Sequence, residues 1–463
     1  LAPGRAVRRL ALAAAVPAGG LALALAAVAL HAPTRPEAHA WWVVDAAGGL
    51  FAGVIGLVAL ASVLASPAYL DGLHSALVNE RHRERTYFAV LFAFWAALVA
   101  VPLAGNLGAA WLLVEATTAL SAVLVGFSGK PRALEAGWKY LILTSLGLGI
   151  ALLGIVLLAA GSPGGRLAAL SWHELGRDAA GGDRTQVAYL LLLAGLAGKV
   201  GWAPVHNWLP DAHSEAPPPI SALLSGALLP AVALVAWRSE QSLAPTIGAS
   251  FAQGVLVAFG LLSLAVAVPF LWRALAWKRL LAYSSLEHMG VLALGIGFAT
   301  PLALAGVAVH LVGHALAKSL GFYAATPLLE YDPRASRRPA TGVGRNQPRL
   351  CAALGISLGS LAALPPSPLF VSEVLIVAGG FQAGRPWAAA ATAFLLALGF
   401  LGLAHALLET TAGDPRRLTG SPLRLRALAP LSIAATLLLA SLSAVALWLP
   451  GSDIVTALLR GVA

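Results

Sequence analysis

Charge is scarce in this chain: Asp, Glu, Lys and Arg make up 11% of its 463 residues, against 59% hydrophobic ones. Soluble domains carry about 25% charged residues, so this composition cannot cover a water-facing surface. Cysteine is nearly absent. Cys351 stands alone, which excludes a disulfide framework and any cysteine-built metal or iron–sulfur centre. Redox chemistry would therefore have to come from a partner. No nucleotide-binding loop, nucleophile triad or large extramembrane stretch is visible, so neither a catalytic centre nor a cofactor is expected in the chain itself. The first residue is Leu and no cleavable signal precedes the first apolar run, which points to an alternative start or a clipped N-terminus with one helix missing upstream.

What the chain has in abundance is long apolar sequence. Mean hydropathy is +0.82. Runs of the length that crosses a bilayer as a helix, about 20 residues, recur at 10–31, 46–66, 87–105, 107–128, 135–160, 186–208, 217–237, 253–272, 280–299, 301–327, 350–379, 386–408 and 427–449. They predict an all-α polytopic membrane protein with the lipid bilayer as its solvent. The net charge of +10 does not call for nucleic acid. When Lys and Arg are assigned to alternating sides, twenty fall on the side of the N-terminus, among them Arg5, Arg8, Arg9, Lys278 and Arg279. Seven fall opposite: Arg35, Arg166, Arg177, Arg184, Arg238, Arg385 and Arg460. Basic residues accumulate on cytoplasmic loops, so the N-terminus of this chain is expected in the cytoplasm, with the protein in a bacterial or archaeal-type cytoplasmic membrane.

Three lysines are left over inside the apolar runs, Lys139, Lys199 and Lys318, together with the acids Glu115, Glu287 and Glu373. A charge at mid-bilayer costs about 2.5–3.5 kcal/mol on insertion scales, which marks such residues as functional unless a simpler account fits. Snorkelling to the interface would account for Lys139 and Glu287. Static ion pairs would account for Glu115, Lys199 and Glu373. His310, His314 and Lys318 resist both accounts. Steps of four residues drift only about 40° around a helix, so the three share one stripe about 12 Å long. A zinc site on the two histidines is disfavoured, because Lys318 opposes it and no carboxylate in that run completes a ligand set. Haem is disfavoured because its axial ligands come from opposite faces. No metal is expected.

Two prolyl breaks accompany these charges. Lys199 is followed by GWAPVHNWLPDAHSEAPPPIS at 201–221, and LPPSPLFVSEV at 364–374 contains Glu373. Proline prevents a continuous helix at either place. Irregular backbone at membrane depth is tolerated only where protein or a water-filled cavity surrounds it, so two discontinuous helices, each bearing an ionisable residue, point to an ion pathway. His206, Asp211 and His213 in the first break, with Glu287 and His288 elsewhere, are candidates for a pathway mouth; a hydrated connecting loop is the plainer reading of the first three.

The segment GKVGWAPVHNWLPDAHSEAPPPISALLSG at 198–226 closely resembles the signature of the antiporter-like, proton-conducting subunits of complex I, of multisubunit cation/proton antiporters and of energy-converting hydrogenases. VEATTALSAVLVGF at 114–127, LEAGWKYLIL at 134–143, LLAYSSLEHMG at 280–290 and FVSEV at 370–374 look most like the hydrogenase-4 or formate hydrogenlyase component F branch. The resemblance implies inverted repeats, divided here as 67–240 and 241–410 between an N-terminal part at 1–66 and a C-terminal helix at 411–463. It also implies a proton relay of Glu115, Lys139, Lys199, His310, His314, Lys318 and Glu373. Glu115 would hold Lys199 protonated until its displacement releases the proton toward the histidines, and Glu373 would pass it out. Partners would be other membrane subunits and a peripheral redox module of a hydrogenase-4 or NADH-quinone oxidoreductase complex. A Na⁺/H⁺ antiporter subunit, a membrane subunit of inorganic-carbon uptake and a non-pumping structural subunit are the alternatives. One departure stands out: Ser225 occupies a place where several relatives carry His or Lys, and Pro230 follows it.

Overall fold

In the computed structural model, residues 3–31, 41–73, 80–161, 170–175, 182–414 and 428–448 are described. Among them there are helices and two isolated β-bridges, but no strand. The helices are α1 (Pro3–His31), α2 (Ala46–Leu73), α3 (Glu80–Leu103), α4 (Leu107–Val125), α5 (Pro131–Gly161), α6 (Asp183–Val200), α7 (Leu209–Glu215), α8 (Pro218–Leu223), α9 (Leu229–Ile247), α10 (Ala249–Leu271) and α11 (Trp277–Phe298). They continue with α12 (Pro301–Tyr331), α13 (Val343–Asn346), α14 (Pro348–Leu361), α15 (Pro368–Gln382), α16 (Pro386–Ala412) and α17 (Leu428–Trp448). Among the described residues ten helices are long and apolar enough to cross a membrane. The protein is an all-α, multi-pass membrane protein. Every apolar run read from the sequence falls on helix, and the runs at 186–208 and 350–379 are the ones that break. Arg35, Arg166, Arg177, Arg416, Arg417, Arg424, Arg426 and Arg460 lie outside the described residues.

Helix starts follow local chemistry. Proline opens α5, α8, α12, α14, α15 and α16, where its missing N–H is one the helix cannot use anyway. Asn106 accepts from the Ala109 amide at 2.7 Å and so caps α4, and Thr300 does the same for α12 through Ala303 at 3.2 Å. Exposed apolar side chains such as Leu146, Val156, Phe394 and Leu408 cover the outer helices, as lipid contact requires. The span of α8 and α9, together with α11, is buried on all sides. A helix apolar all round belongs at the centre of a bundle, and α12 packs there against α8, α11, α14 and α15.

Small residues set the spacing of the central pairs. A Cβ on Gly147 would lie 3.0 Å from the Gly195 carbonyl. Across α10 and α11, a Cβ on Gly260 would lie 2.8 Å from the Gly290 carbonyl. Such close approach replaces the missing hydrophobic drive between helices in lipid.

One buried charge has a static role. Arg238 is only 2% exposed and Asp45 equally so, in contrast to the loop position that its sequence context implied. The Arg238 guanidinium donates to both Asp45 oxygens at 2.9 and 2.7 Å, and Asp45 also accepts from the Gly48 amide at 2.5 Å. This pair fastens the start of α2 to α9, and the Ala104 carbonyl of the α3–α4 connection joins it at 3.4 Å. Replacing Arg238 with Leu leaves the Asp45 carboxylate uncompensated and is expected to destabilise the protein by about 3–5 kcal/mol. Thermal unfolding of the detergent-solubilised variant measures this, and the double change with Asp45→Asn should recover part of the loss.

Candidate functional site: a buried row of titratable side chains

At the first break, α6 ends on Lys199 and Val200 because Gly201 turns the chain with φ of 82°. A Cβ at this glycine would both strain the backbone and collide with Leu209. The break leaves backbone groups that lipid cannot satisfy, and side chains supply their partners. Trp208 Nε1 donates to the Gly198 carbonyl at 2.6 Å. The Ala203 amide donates to Ser263 Oγ at 3.0 Å. Trp202 Nε1 reaches across to the Met289 carbonyl at 2.8 Å. Lys199 is thereby held, completely buried, at the end of a helix whose continuation is displaced.

Its partner is unexpected. Lys199 Nζ donates to the hydroxyl of Tyr140 and sits 4.5 Å from the centre of that ring. Tyr140 and Ser121 Oγ share a further hydrogen bond of 2.7 Å. Glu115 lies within electrostatic reach of Lys199 without pairing with it; its Oε1 accepts from Ser145 at 2.6 Å, and its Oε2 has no partner among the described residues. In the segment LEAGWKYLIL it is Tyr140, then, and not its neighbour Lys139, that faces the interior. Consecutive helical residues point about 100° apart. Lys139 lies on the outer face, 40% exposed, bonded to Glu135 one turn earlier. The i, i+4 spacing of that pair was a sequence signal for an exposed face.

The second group is built on α11 and α12. His310, His314 and Lys318 are all completely buried, on one stripe as the spacing implied. His288 of α11 inserts between the rungs. Its ring centre lies 5.0 Å from that of His310 and 5.1 Å from that of His314, while the two α12 rings are 6.2 Å apart. His288 Nδ1 is 3.1 Å from His310 Nε2, and His310 Nδ1 is 2.9 Å from Ser372 Oγ beside the second break. Lys318 Nζ donates to the Leu281 carbonyl at 2.6 Å and to Ser284 Oγ, with the Glu287 carboxylate as its charged neighbour. Glu287 is packed against Gly399 of α16, and Glu373 of α15 stands within electrostatic range of it. Glu287 and His288 thus belong to the centre of the row and not to a mouth.

Between the two groups lie residues of the first break. His213 is completely buried, stacked 6.5 Å from Trp208 and 5.4 Å from Phe322, which lies one turn beyond Lys318. Trp208 in turn packs 4.7 Å from Tyr140. Neither His213 nitrogen has a partner among the described residues, so His213 too is interior. Asp211 is at the surface, paired with Arg279 at 2.5 Å, and His206, earlier in the break, is half-buried. Ser225 lies in a π-helical turn, Leu224–Leu228, a feature that recurs at functional sites. Its Oγ is 2.8 Å from Ser285 Oγ, next to the Ser284 that accepts from Lys318. The wider turn also accommodates Pro230, which lacks the amide needed for a regular turn. Lys278, placed by its sequence context in a loop, is instead buried and donates to the Ser214 and Ala216 carbonyls at 2.7 and 2.5 Å. It closes the end of α7 as a cation at a helix C-terminus.

The family described as NADH:quinone oxidoreductase/Mrp antiporter, transmembrane, matches residues 104–399. That stretch holds Glu115, Lys199, both breaks and the whole row. The chain is 34% identical over 356 residues to the hydrogenase-4 component F homolog of Methylacidiphilum infernorum, covering 76% of this chain and 74% of that protein. It is 30% identical over 342 residues to NADH-quinone oxidoreductase subunit N of Granulibacter bethesdensis, covering 70% of each. A chain of the membrane-bound sulfane sulfur reductase, an archaeal respiratory membrane complex, superposes with a TM-score of 0.85 at 20% identity over 98% of this chain and 92% of that one. That likeness is one of fold.

The opposite orientations of neighbouring residues in the WKY segment have a direct test. Tyr140→Phe keeps the ring but leaves the Lys199 ammonium without its acceptor, and is expected to cost about 1–3 kcal/mol of stability. Lys139→Ala removes only an exposed pair and should stay within about 0.5 kcal/mol. Parallel thermal unfolding of the two variants in one detergent checks both.

Proposed function

This chain belongs to the NADH:quinone oxidoreductase/Mrp antiporter transmembrane family, and we propose that its buried row passes protons across the membrane. It is an antiporter-like subunit of the complex I, hydrogenase and Mrp type. The observation that carries the proton reading is a contrast within the molecule. Arg238, a cation that cannot be deprotonated in a protein, is locked to Asp45 by two short bonds. Lys199 and Lys318 are equally buried, yet they bond to hydroxyls and a carbonyl. A lysine held in this way can exist neutral or charged at modest cost, and buried lysine changes protonation readily. This argues against a static ion-pair role for the two lysines.

In the proposed sequence, approach of the Glu115 carboxylate favours the charged form of Lys199, and its withdrawal releases a proton. The proton travels toward Lys318 through the interior aromatic and hydroxyl groups with water, then along His314, His288 and His310 to Glu373. Histidine, able to donate from one nitrogen while accepting at the other, suits the middle of such a chain. Glu287 would set the charge of Lys318 as Glu115 does that of Lys199. Asp211 and His206 would stand at the mouth of the first break. The pairing of each break with one ionisable residue, Lys199 beside the first and Glu373 beside the second, supports the division into inverted halves at 67–240 and 241–410.

The likeness to the hydrogenase-4 component F homolog supports a place beside other membrane subunits and a peripheral redox module in a bacterial or archaeal-type cytoplasmic membrane, and the one-sided excess of Lys and Arg supports an N-terminus of this chain inside. Subunits recovered with the tagged protein in mild detergent, identified by mass spectrometry, test this. Hydrogenase or formate dehydrogenase subunits support the redox-driven reading, and recovery with small antiporter subunits alone overturns it. In vesicles containing the recovered complex, Lys199→Ala is expected to lower proton flux by about 10²-fold or more while the complex still assembles. Undiminished flux in that variant would sink the relay. Flux that requires Na⁺ would instead favour cation/proton exchange, as the antiporter members of the family suggest.

A further inference from the structure

We propose that His288, His310 and Glu373 form a binding site for a divalent transition-metal ion of the zinc type. One ligand atom from each of the three lies within 4.8 Å of the others. They come from α11, α12 and α15, so the site is assembled by the fold and by no single helix. Looking along α12 alone, His310 pairs with His314 and finds no carboxylate. In the folded molecule the carboxylate arrives from beyond the second break, and the second imidazole from α11.

The chemistry of the donors fits. Two imidazoles and one carboxylate, with a position left open, are a ligand set that zinc accepts, and imidazole with carboxylate favours it over calcium or magnesium. In a tetrahedral zinc site with bonds of about 2.0–2.1 Å, neighbouring ligand atoms stand about 3.3 Å apart. His288 Nδ1 and His310 Nε2 are 3.1 Å apart, close to that edge before any ion draws them into place.

The outer contacts point the same way. Ser372 Oγ donates its proton to the Leu369 carbonyl at 2.7 Å. It can therefore only accept in its 2.9 Å contact with His310 Nδ1. That fixes the proton of His310 on Nδ1 and leaves the Nε2 lone pair directed at His288. A ligating histidine held through its other nitrogen by a hydrogen-bonded neighbour is the usual construction of a protein metal site. Lys318, the nearest cation on α12, has its ammonium bonded to Leu281 and Ser284 and its charge faced by Glu287, so its repulsion of an ion is offset. His288 and His310 are completely buried, and Glu373 is half-buried.

The test is cobalt(II) titration of the full-length, tag-free protein in detergent, read by visible absorption. One equivalent is expected to give the intense d–d bands of a low-coordinate site, bleached by an equal amount of zinc. His288→Gln and Glu373→Gln should abolish those bands. Ser372→Ala, which touches no ion and is a mild change for the fold, should weaken cobalt affinity by about 10–100-fold. Absence of the bands in the native protein, as expected if only a proton sits between the imidazoles, overturns the proposal. So do bands that persist unchanged in all three variants. The assay reads binding and not transport, so its outcome is independent of the relay.

Discussion

Desolvation governs this molecule. In a bilayer an ionised group without a partner and a backbone amide without an acceptor are both costly, and each irregularity of the fold is a local answer to that cost. Where the chain breaks after Lys199, two indole N–H groups of the break donate to carbonyls of α6 and α11, and a serine of α10 accepts from the Ala203 amide of the break. Where α7 stops short, a buried lysine closes its carbonyls. Interior charge is handled in two ways: a rigid arginine–aspartate clasp at one end, and lysines bonded to neutral oxygen elsewhere.

The difference between these two treatments separates architecture from function. A guanidinium locked to a carboxylate removes a degree of freedom and fixes the start of α2 against α9. An ammonium bonded to a phenol or a serine keeps its alternative protonation state within reach. Tyr140 is the clearest instance: its hydroxyl accepts from Lys199, while Glu115 is bonded to Ser145.

Much of this was legible in the sequence. Apolar runs of bilayer length located the helices, prolines located both breaks, and the four-residue spacing of His310, His314 and Lys318 placed them on one stripe. What the sequence concealed was contact between helices. In LEAGWKYLIL, lysine drew attention by its charge although tyrosine faces inward. In SLEHMG, Glu287 and His288 lie on adjacent residues, and nothing local says that α11 is buried all round, so that both side chains are interior. Lys278, at the start of α11, and Arg238, in the middle of α9, had the look of loop residues, because the apolar run is shorter than the helix that carries it and hydropathy marks only the run.

The π-helical turn at Leu224–Leu228 ties these parts together. Such a turn holds one residue more than a regular one, and each residue is worth about 100° of rotation around the axis. The continuous rod from α8 through α9 carries Ser225 facing α11 in the turn itself and Arg238 facing Asp45 several turns further on. Those two directions are phased by the extra residue. A one-residue deletion that restored regular helix would rotate one end relative to the other, so that either the serine lost Ser285 or the arginine lost its aspartate. The polar interior and the structural clasp therefore share a single angular register.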